Sequence, residues 1–296
     1  MGEEARPNLF LVGTQRAAST AMWQYLGSHP AVFMAPKELH HFGADLGSFG
    51  GRRDSGHRPD RREYLALFAE APATASFRGD ASVGYVYSTE AADEIHRFDP
   101  GARIVVSFRN PVDMAHSLYS LMRHQGAEQA ATFEEAFADD DEPRWAYTHY
   151  PFRWAFTYPR LVRFSEQLER YLEAFGPDQV HVIVYEDLRQ DTAAEYDKVL
   201  RFLGLEQGFR PELPVVNAQP GTRSALLRRW LEHTPGPVRR AARVALPSQE
   251  ARRRIAGALA ARNERPMARQ DLDPALRARL EETVAPEVER FGALIG

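Results

Sequence analysis

The stretch Leu9–Thr20, LFLVGTQRAAST, places one arginine and two hydroxyl side chains directly after a short apolar run. If the run is a buried strand and a helix begins near Ser19, the turn between them presents main-chain N–H groups, and the helix dipole adds positive charge. Ala17 and Ala18 are small enough to let an anion approach the main chain, and Arg16 supplies a fixed cation. We interpret the turn as a phosphate-binding site; the alternative is an ordinary strand-to-helix turn with Ser19 as its cap.

A second cation stands at the equivalent place of a later unit. Arg109 follows the apolar run Arg103–Phe108, and Pro111 favours the start of a helix. Ser117 lies about two helical turns beyond Arg109, and helical side chains lean back toward the N-terminus. Arg109 and Ser117 are therefore predicted to bind one phosphate together; the alternative for Ser117 is a solvated helix serine.

The pattern of these turns disfavours a nucleoside triphosphatase. Such proteins use G-x-x-x-x-G-K-[ST], with the hydroxyl on Mg²⁺ and a carboxylate from another strand. The chain has no such motif, and a cation, Arg109, stands where the acid would be expected. We interpret Glu186 and Asp187, which end a third apolar run, as a strand-end turn rather than a ligand pair. No metal site is predicted.

The candidate sites need a sheet that holds them at one edge. Apolar runs at Leu9–Val12, Arg103–Phe108 and Val180–Tyr185 alternate with helical patterns, which is typical of a parallel sheet with right-handed crossovers. We predict an α/β fold with a P-loop-like parallel β-sheet flanked by helices on both faces, and one domain over residues 1–296.

Three details of the helices are also predicted. One helix is expected to run from Leu161 to Phe175, Thr192 with Glu195 matches a capping box, and the last helix is expected to be interrupted at Pro286.

Composition limits the class of protein. The chain has 296 residues, 44% of them hydrophobic, and can bury a large core. It has no cysteine, so disulfides and thiolate metal sites are excluded. A polar N-terminus and the lack of a long apolar run lead us to expect a soluble, cytoplasmic protein without a transmembrane segment. The net charge of −4 and the lack of a recognisable module argue against a nucleic-acid partner.

Two long segments together resemble a known family. VGTQRAASTAMWQYLGSHPAVFMAPKELHHF and, later, RIVVSFRNPVDMAHSLYSLM are similar to the sulfotransferases that use 3′-phosphoadenosine 5′-phosphosulfate (PAPS), in particular the bacterial branch that resembles heparan sulfate sulfotransferases. Further likeness in VYEDL, FLGL and LDPALRARLEETVAPEVERF extends the resemblance over nearly the whole chain. It implies PAPS as co-substrate, 3′-phosphoadenosine 5′-phosphate (PAP) as product, and an in-line transfer without a metal ion.

The resemblance also implies which residues bind the nucleotide. In the family the first loop holds the 5′-phosphosulfate, and its usual cation is a lysine; the arginine found here keeps the charge but has a planar fork of donors. The implied residues are Arg16, Ala17, Ala18, Ser19, Thr20 and Ala21 for the 5′-phosphosulfate, and Arg109 and Ser117 for the 3′-phosphate.

The segment FMAPKELHHFG resembles the K-E-P-H-F-F segment of the family, whose glutamate is the usual base. Glu38 is thus the predicted catalytic base, with His40 as a supporting or alternative proton carrier and Lys37 as a charge partner. Arg16 is predicted to stabilise the charge that develops on the departing nucleotide. The alternatives are a solvated run of charges and a structural histidine pair.

The acceptor is predicted only by class: a hydroxyl or amine of a small molecule, glycolipid or saccharide. Two long connections, Gly43–Tyr64 and Phe137–Trp154, are expected to shape its pocket, and their aromatic residues favour an apolar or sugar acceptor. Arg262 and Arg265 are candidates for covering the nucleotide. The rival hypotheses are a P-loop kinase-like nucleotide-binding protein and a non-catalytic PAP-binding homologue.

Overall fold

The computed structural model describes residues 6–47, 59–138, 152–211, 220–222, 264–266 and 271–296. The chain divides into two compact units. The first comprises Met1–Tyr119, Ala130–Val216 and Leu272–Gly296, and the second comprises Ser120–Gln129 and Asn217–Asp271. The organisation as one domain stays a prediction.

The first unit contains a parallel sheet of five strands in the order β2-β3-β1-β4-β5. The strands are β1 (Leu9–Gly13), β2 (Val32–Met34), β3 (Phe77–Asp80), β4 (Arg103–Phe108) and β5 (Val180–Val184). The central strand β1 pairs with β3 and β4, so the turns after β1 and β4 lie side by side at the carboxyl edge of the sheet. The predicted strands β1, β4 and β5 are confirmed, because continuous apolar runs suit strands that are buried on both faces.

The helices of the described residues surround this sheet. They are α1 (Ser19–Gly27), α2 (Arg61–Ala66), α3 (Ala91–Phe98), α4 (Pro111–His124), α5 (Phe133–Ala138), α6 (Tyr158–Leu161), α7 (Phe164–Phe175), α8 (Tyr185–Gln190), α9 (Thr192–Phe202) and α10 (Pro274–Ile295). Short 3-10 turns occupy Ala44–Gly47, Val83–Tyr87, Arg153–Phe156 and Pro177–Gln179. In the second unit, β6 (Pro220–Thr222) and β7 (Glu264–Pro266) pair as an antiparallel ribbon. None of the helices in the described ranges is both long and apolar enough to cross a membrane.

Both faces of the sheet are covered. On one face, Leu11 of β1 joins a buried cluster with Met22 of α1 and Tyr196 of α9. On the other, the ring of Phe108 packs 5.0 Å from Phe164 of α7 and 4.8 Å from Phe291 of α10. The α/β fold with helices on both faces is therefore confirmed.

The helix predicted from Leu161 to Phe175 is wrong at its start. The structure has two helices, α6 and α7, separated at Val162 and Arg163. The break lies at Arg163, whose φ of −80° and ψ of 64° are outside the helical region and interrupt the ladder of hydrogen bonds.

The predicted cap of α9 is wrong by one residue. The carboxylate of Asp191 accepts a hydrogen bond from the Ala194 N–H at 2.9 Å, which makes Asp191 the cap. The hydroxyl of Thr192 instead donates to the Leu188 carbonyl at 2.8 Å, because α8 ends immediately before it.

The interruption predicted at Pro286 is also wrong, because α10 continues through this proline. Packing on each side of it holds the helix together. Val284 is buried, and the carboxylate of Glu287 accepts a hydrogen bond from the hydroxyl of Ser165 at 2.9 Å. These contacts offset the hydrogen bond that a proline removes from a helix.

Candidate active site

The turn after β1 has the backbone of an anion-binding loop. Gly13 has a φ of 140°, and a Cβ there would lie 2.3 Å from the carbonyl oxygen of Ser107, so only glycine fits where β1 passes β4. Arg16 and Ala18 have φ values of 68° and 61°, in the left-handed region. Left-handed residues in a turn direct successive N–H groups into a concavity that binds anions. The loop thus adopts a strained conformation of the kind found at functional sites.

The N-terminus of α1 is open to an anion. Its N-cap is Ala18, no side chain caps it, and no acidic residue lies in its first turn. The alternative interpretation, in which Ser19 caps the helix, is therefore wrong. The uncapped N–H groups and the helix dipole both favour a negatively charged ligand.

Lys37 reaches this loop from the segment that follows β2. Its Nζ donates to the hydroxyls of Ser19 at 3.0 Å and Thr20 at 3.2 Å. Trp23 of α1 holds the segment in place by donating to the Ala35 carbonyl at 2.8 Å. Burial lowers the pKa of Lys37, whose side chain is only 17% exposed. Lys37 was predicted only as a charge partner of Glu38. The contact of Lys37 with the loop was not predictable, because it depends on how β2 lies beside α1.

Arg16, Arg109 and Ser117 form a second group of contacts. Arg16 Nε donates to the Ser117 hydroxyl at 2.8 Å, and Arg109 Nη1 donates to the Arg16 carbonyl at 3.2 Å. The Arg109 guanidinium also lies 4.8 Å from the centre of the Tyr185 ring. Burial, and then the neighbouring charge of Arg109, lower the pKa of Arg16 to about 10.

This grouping differs from the predicted one. Ser117 was predicted to bind one phosphate with Arg109, and Arg16 to bind the other, whereas the structure joins the side chains of Arg16 and Ser117. The reason is the strand order, because β1 and β4 are neighbours and the loop after β1 lies directly beside α4. The result is one cluster of two cations and a hydroxyl, next to a separate ammonium at Ser19.

Glu38 lies beside the loop on a left-handed turn of its own. Glu38 and His40 have φ values of 60° and 49°. One carboxylate oxygen of Glu38 lies 3.7 Å from Lys37 Nζ, and the other lies 3.6 Å from His40 Nε2. The Glu38 side chain is 35% exposed, but the atoms around it remove enough water to raise its pKa to about 7; Lys37 opposes the rise and Asp80 adds to it. A carboxyl group with a pKa near neutrality is suited to accept a proton in catalysis.

His40 is neutral at pH 7. Burial lowers the pKa of His40 to about 4, and its ring packs 4.5 Å from the ring of Phe152. A neutral imidazole forms no ion pair with Glu38, and the 3.6 Å between His40 Nε2 and the Glu38 oxygen is longer than a hydrogen bond. The role of His40 as a supporting proton carrier stays a prediction.

A buried carboxylate holds the turn that carries Glu38. Asp80, at the end of β3, accepts hydrogen bonds from Tyr64 at 2.8 Å, Tyr85 at 3.0 Å and Ser82 at 2.7 Å. The Ser82 hydroxyl in turn accepts from the N–H groups of Leu39 at 2.9 Å and His40 at 3.1 Å. This network was not predicted from the sequence, since its link from Ser82 to Leu39 and His40 spans more than 40 residues and no motif marks it.

The Asp80 network gives a first testable consequence. Asp80→Asn is expected to destabilise the fold by about 1.5–3 kcal/mol, the cost of losing one hydrogen bond to a charged group. Because Asp80 helps to raise the pKa of Glu38, the same change is expected to move the acid limb of the activity profile to lower pH. Denaturant unfolding and a pH profile measure the two effects, and an unchanged acid limb would contradict the electrostatic coupling.

Aromatic rings lie next to His40. The Phe152 and Trp154 rings are 5.9 Å apart, and Trp154 lies 4.8 Å from Tyr87. The Tyr87 hydroxyl accepts a hydrogen bond from the Gln15 N–H at 3.1 Å, which joins these rings to the anion-binding loop. Phe152 and Trp154 are the described part of the aromatic set predicted to contact the acceptor; Tyr87 was not predicted.

Several residues predicted to contact the acceptor or the nucleotide are not among the residues that the structure describes. Residues 48–58 and 139–151 of the two long connections lie outside the described residues, as does Arg262. Arg265 lies in β7, where only the strand pairing is described. The Gly43–Tyr64 connection is shorter than predicted, since α2 begins at Arg61 behind a capping box of Asp60 and Glu63.

Glu186 and Asp187 lie in the first turn of α8, where acidic side chains complement the helix dipole. A Glu186 carboxylate oxygen accepts a hydrogen bond from the Asn110 N–H at 3.2 Å. Within the described ranges, no three His, Asp or Glu side chains are grouped so as to hold a metal ion.

A strained anion-binding loop and an uncapped helix, at the carboxyl edge of a parallel sheet, are features of an α/β protein of the P-loop-like class. The profile described as "Sulfotransferase family" matches residues 7–210, and the chain belongs to that family.

Known proteins with similar sequences carry related names. The chain is 26% identical over 204 residues to the bifunctional heparan sulfate N-deacetylase/N-sulfotransferase 3 of Homo sapiens. The aligned region covers 67% of this chain and 22% of that relative. It is also 24% identical over 224 residues to the heparan sulfate glucosamine 3-O-sulfotransferase 6 of Homo sapiens. That aligned region covers 74% of this chain and 58% of the relative. The chain therefore spans about a fifth of the length of the bifunctional relative.

A solved structure is similar over almost the full length. The crystal structure of a sulfotransferase from Alicyclobacillus acidocaldarius is 25% identical, has a TM-score of 0.71, and covers 98% of this chain and 96% of its own. The likeness agrees with the α/β fold described above.

Proposed function

We propose that this protein transfers a sulfuryl group from PAPS to a hydroxyl or amine of a small-molecule, glycolipid or saccharide acceptor. One observation carries the proposal: Glu38, whose pKa is about 7, lies beside an anion-binding loop whose helix has neither a side-chain cap nor an acid. A base and an anion site so close together suit the removal of a proton from an acceptor that attacks a bound anionic donor.

The residues present fit a doubly phosphorylated nucleotide. The N–H groups between Ala17 and Ala21, with the hydroxyls of Ser19 and Thr20, would hold the 5′-phosphosulfate at the uncapped start of α1. Arg109 and Ser117 would hold the 3′-phosphate. Arg16 contacts Ser117, so its charge would add to the site of the 3′-phosphate. Burial, and then the charge of Arg109, lower the pKa of Arg16, and an anion bound beside the two cations would offset this effect.

The proposed reaction is an in-line displacement. The bond between sulfur and the oxygen that bridges it to phosphorus breaks, and its electron pair stays on that oxygen to give PAP. A bond forms between sulfur and the acceptor oxygen or nitrogen, and the acceptor proton passes to Glu38. Arginine charges and loop amides stabilise the negative charge on the departing oxygen, the part that Mg²⁺ plays in P-loop kinases. We propose that the transfer needs no metal ion.

The acceptor is proposed from the rings beside the base. Phe152 lies next to His40 and is partly exposed, so its ring offers a flat apolar surface that suits an aromatic or sugar ring. Trp154 is only 2% exposed and packs against Phe152 as a core residue. The names of the heparan sulfate relatives are consistent with a saccharide acceptor. Cytoplasmic location stays a prediction.

The proposal is tested with ³⁵S-labelled PAPS and a panel of phenols, hydroxylated lipids and amino sugars. We expect label in at least one acceptor, with one PAP formed for each labelled product. A protein that binds neither PAPS nor PAP would overturn the proposal, whatever acceptors are used, because the nucleotide site would then be absent.

The pKa of Glu38 predicts how the rate depends on pH. Below about pH 7 the carboxyl group is protonated and accepts no proton, so kcat is expected to fall about tenfold per pH unit on the acid side. Lys37, His40, Asp80 and Tyr87 are titratable groups that face it. The pKa of His40, about 4, and the pKa of Tyr87, which burial raises above its ordinary value, keep both groups neutral across this range. Initial rates at saturating PAPS measure the profile. An acid limb near the ordinary carboxyl value of 4.5 would refute the raised pKa.

A further inference from the structure

Lysine is rare in this chain, and one of its two lysines lies in the site. The chain has 37 basic residues, of which only Lys37 and Lys198 are lysines. Lys198 is 52% exposed and forms a helix-surface ion pair with Glu195. Lys37, by contrast, is 17% exposed and donates to two hydroxyls of the anion-binding loop. A compact ammonium thus occurs at the loop of a protein whose other cations are almost all guanidinium groups.

The cation of the loop itself is turned away from these hydroxyls. Arg16 Nε donates to Ser117, on the side of α4. The ammonium beside Ser19 and Thr20 therefore comes from Lys37, which stands on a different segment and next to the base. Its two hydrogen bonds use two of three N–H groups, and the Glu38 oxygen at 3.7 Å lies beyond hydrogen-bond distance.

We propose that Lys37 is a catalytic residue of sulfuryl transfer, which donates a hydrogen bond to the oxygen bridging phosphorus and sulfur as that oxygen becomes the leaving group. This inference rests on the proposed function. The bridging oxygen keeps the electron pair of the broken S–O bond, Lys37 stays protonated, and the acceptor proton goes to Glu38. In this role Lys37 would replace the lysine that is usual in the family's first loop, where this chain has Arg16.

The position of Lys37 between base and loop couples the two charge changes. In the resting protein its charge faces the Glu38 carboxylate at 3.7 Å. As Glu38 takes up the acceptor proton its negative charge disappears, and negative charge appears on the departing oxygen at the other side of the same ammonium. A donor already aimed at developing charge lowers the barrier without reorganisation. Arginine is a poor replacement, because its planar fork needs more space than a largely buried ammonium.

Kinetics of two substitutions test the role. Lys37→Met is expected to lower kcat by about 10²–10³-fold, the usual effect of removing one donor to developing charge, and to change PAP affinity by less than about tenfold. Lys37→Arg is expected to restore little of the rate. Lys198→Met is the matched control and is expected to match the wild type.

The pH profile separates two effects of Lys37. Lys37 lowers the pKa of Glu38, so Lys37→Met is expected to move the acid limb to higher pH, whereas loss of the contact with the leaving group is expected to lower kcat also on the plateau above that limb. Wild-type kcat in Lys37→Met, with transfer intact, would overturn this proposal alone. A wild-type protein without PAP binding or transfer would overturn the proposed function instead.

Chemical labelling gives a readout that needs no activity. Reductive methylation with formaldehyde and cyanoborohydride modifies lysine amines, and peptide mass spectrometry distinguishes Lys37 from Lys198. Saturating PAP is expected to protect Lys37 and to leave Lys198 unchanged. Equal methylation of Lys37 with and without PAP, under conditions where calorimetry shows PAP bound, would contradict a contact with the nucleotide.

Discussion

Replacing Glu38 by glutamine is expected to lower kcat for sulfuryl transfer by about 10²–10⁴-fold, the contribution typical of a positioned general base. Glutamine has nearly the shape of glutamate and accepts no proton. The affinity for PAP is expected to stay within about threefold of the wild type, since Lys37 separates Glu38 from the loop and no loop residue contacts the Glu38 carboxylate among the described contacts.

The control is Glu173→Gln, a change of the same chemistry on an exposed part of α7. It is expected to have wild-type kinetics. If Glu38→Gln keeps its activity while His40→Asn loses it, the base is His40 and the assignment of Glu38 is wrong. If Glu38→Gln loses transfer and keeps PAP affinity, the rival hypothesis of a non-catalytic PAP-binding homologue is excluded.

The double substitution Arg16→Met with Arg109→Met is expected to weaken PAP binding by about 10²–10⁴-fold. Each guanidinium removed costs a charge-assisted hydrogen bond of about 1.5–3 kcal/mol, and every 1.4 kcal/mol is a factor of ten. Each single substitution is expected to lose about half of this free energy. Isothermal titration calorimetry measures the three affinities.

The loss of affinity is distinguishable from a loss of fold. Burial and the neighbouring Arg109 lower the pKa of Arg16, so the two charges repel each other without a ligand, and removing both relieves that repulsion. We therefore expect the unfolding temperature of the free protein to change little. Arg97→Met, on the exposed side of α3, is the control. Unaltered PAP affinity in the double variant would show that the cluster does not bind the nucleotide.

Local sequence was sufficient to predict three of the strands that position the site. β1, β4 and β5 are uninterrupted apolar runs, and such runs indicate buried parallel strands. β2 and β3 have three and four residues, and β3 reads FRGD, so neither shows a period that a pattern could detect. Since β3 lies between β2 and β1, the neighbours of Lys37 and Glu38 were not predictable.

The identity of several site residues was predictable, but their contacts were not. Arg16, Arg109 and Glu38 stand out by charge at strand ends or by resemblance. The contact of Arg16 with Ser117 depends on β1 and β4 being adjacent, and that of Lys37 with Ser19 depends on how β2 returns to α1. These are tertiary relations, which a chain read segment by segment does not contain.

The Asp80 network that holds the turn of Glu38 also depends on tertiary contacts. Asp80 accepts hydrogen bonds from Tyr64 and Tyr85 and is joined through Ser82 to the turn of Glu38, so the network brings together three separate segments. Each residue alone is an ordinary strand or turn residue. Only their convergence on one buried carboxylate indicates that the left-handed turn at Glu38 is held in place.

The most direct test of the whole account is a calorimetric titration of the wild-type protein with PAP in the presence of EDTA. The account predicts saturable heat with one nucleotide bound per chain and an affinity that added Mg²⁺ leaves unchanged. No heat with PAP, or heat that appears only when Mg²⁺ is supplied, would contradict the claim that the cations of this site bind a doubly phosphorylated adenosine without a metal ion.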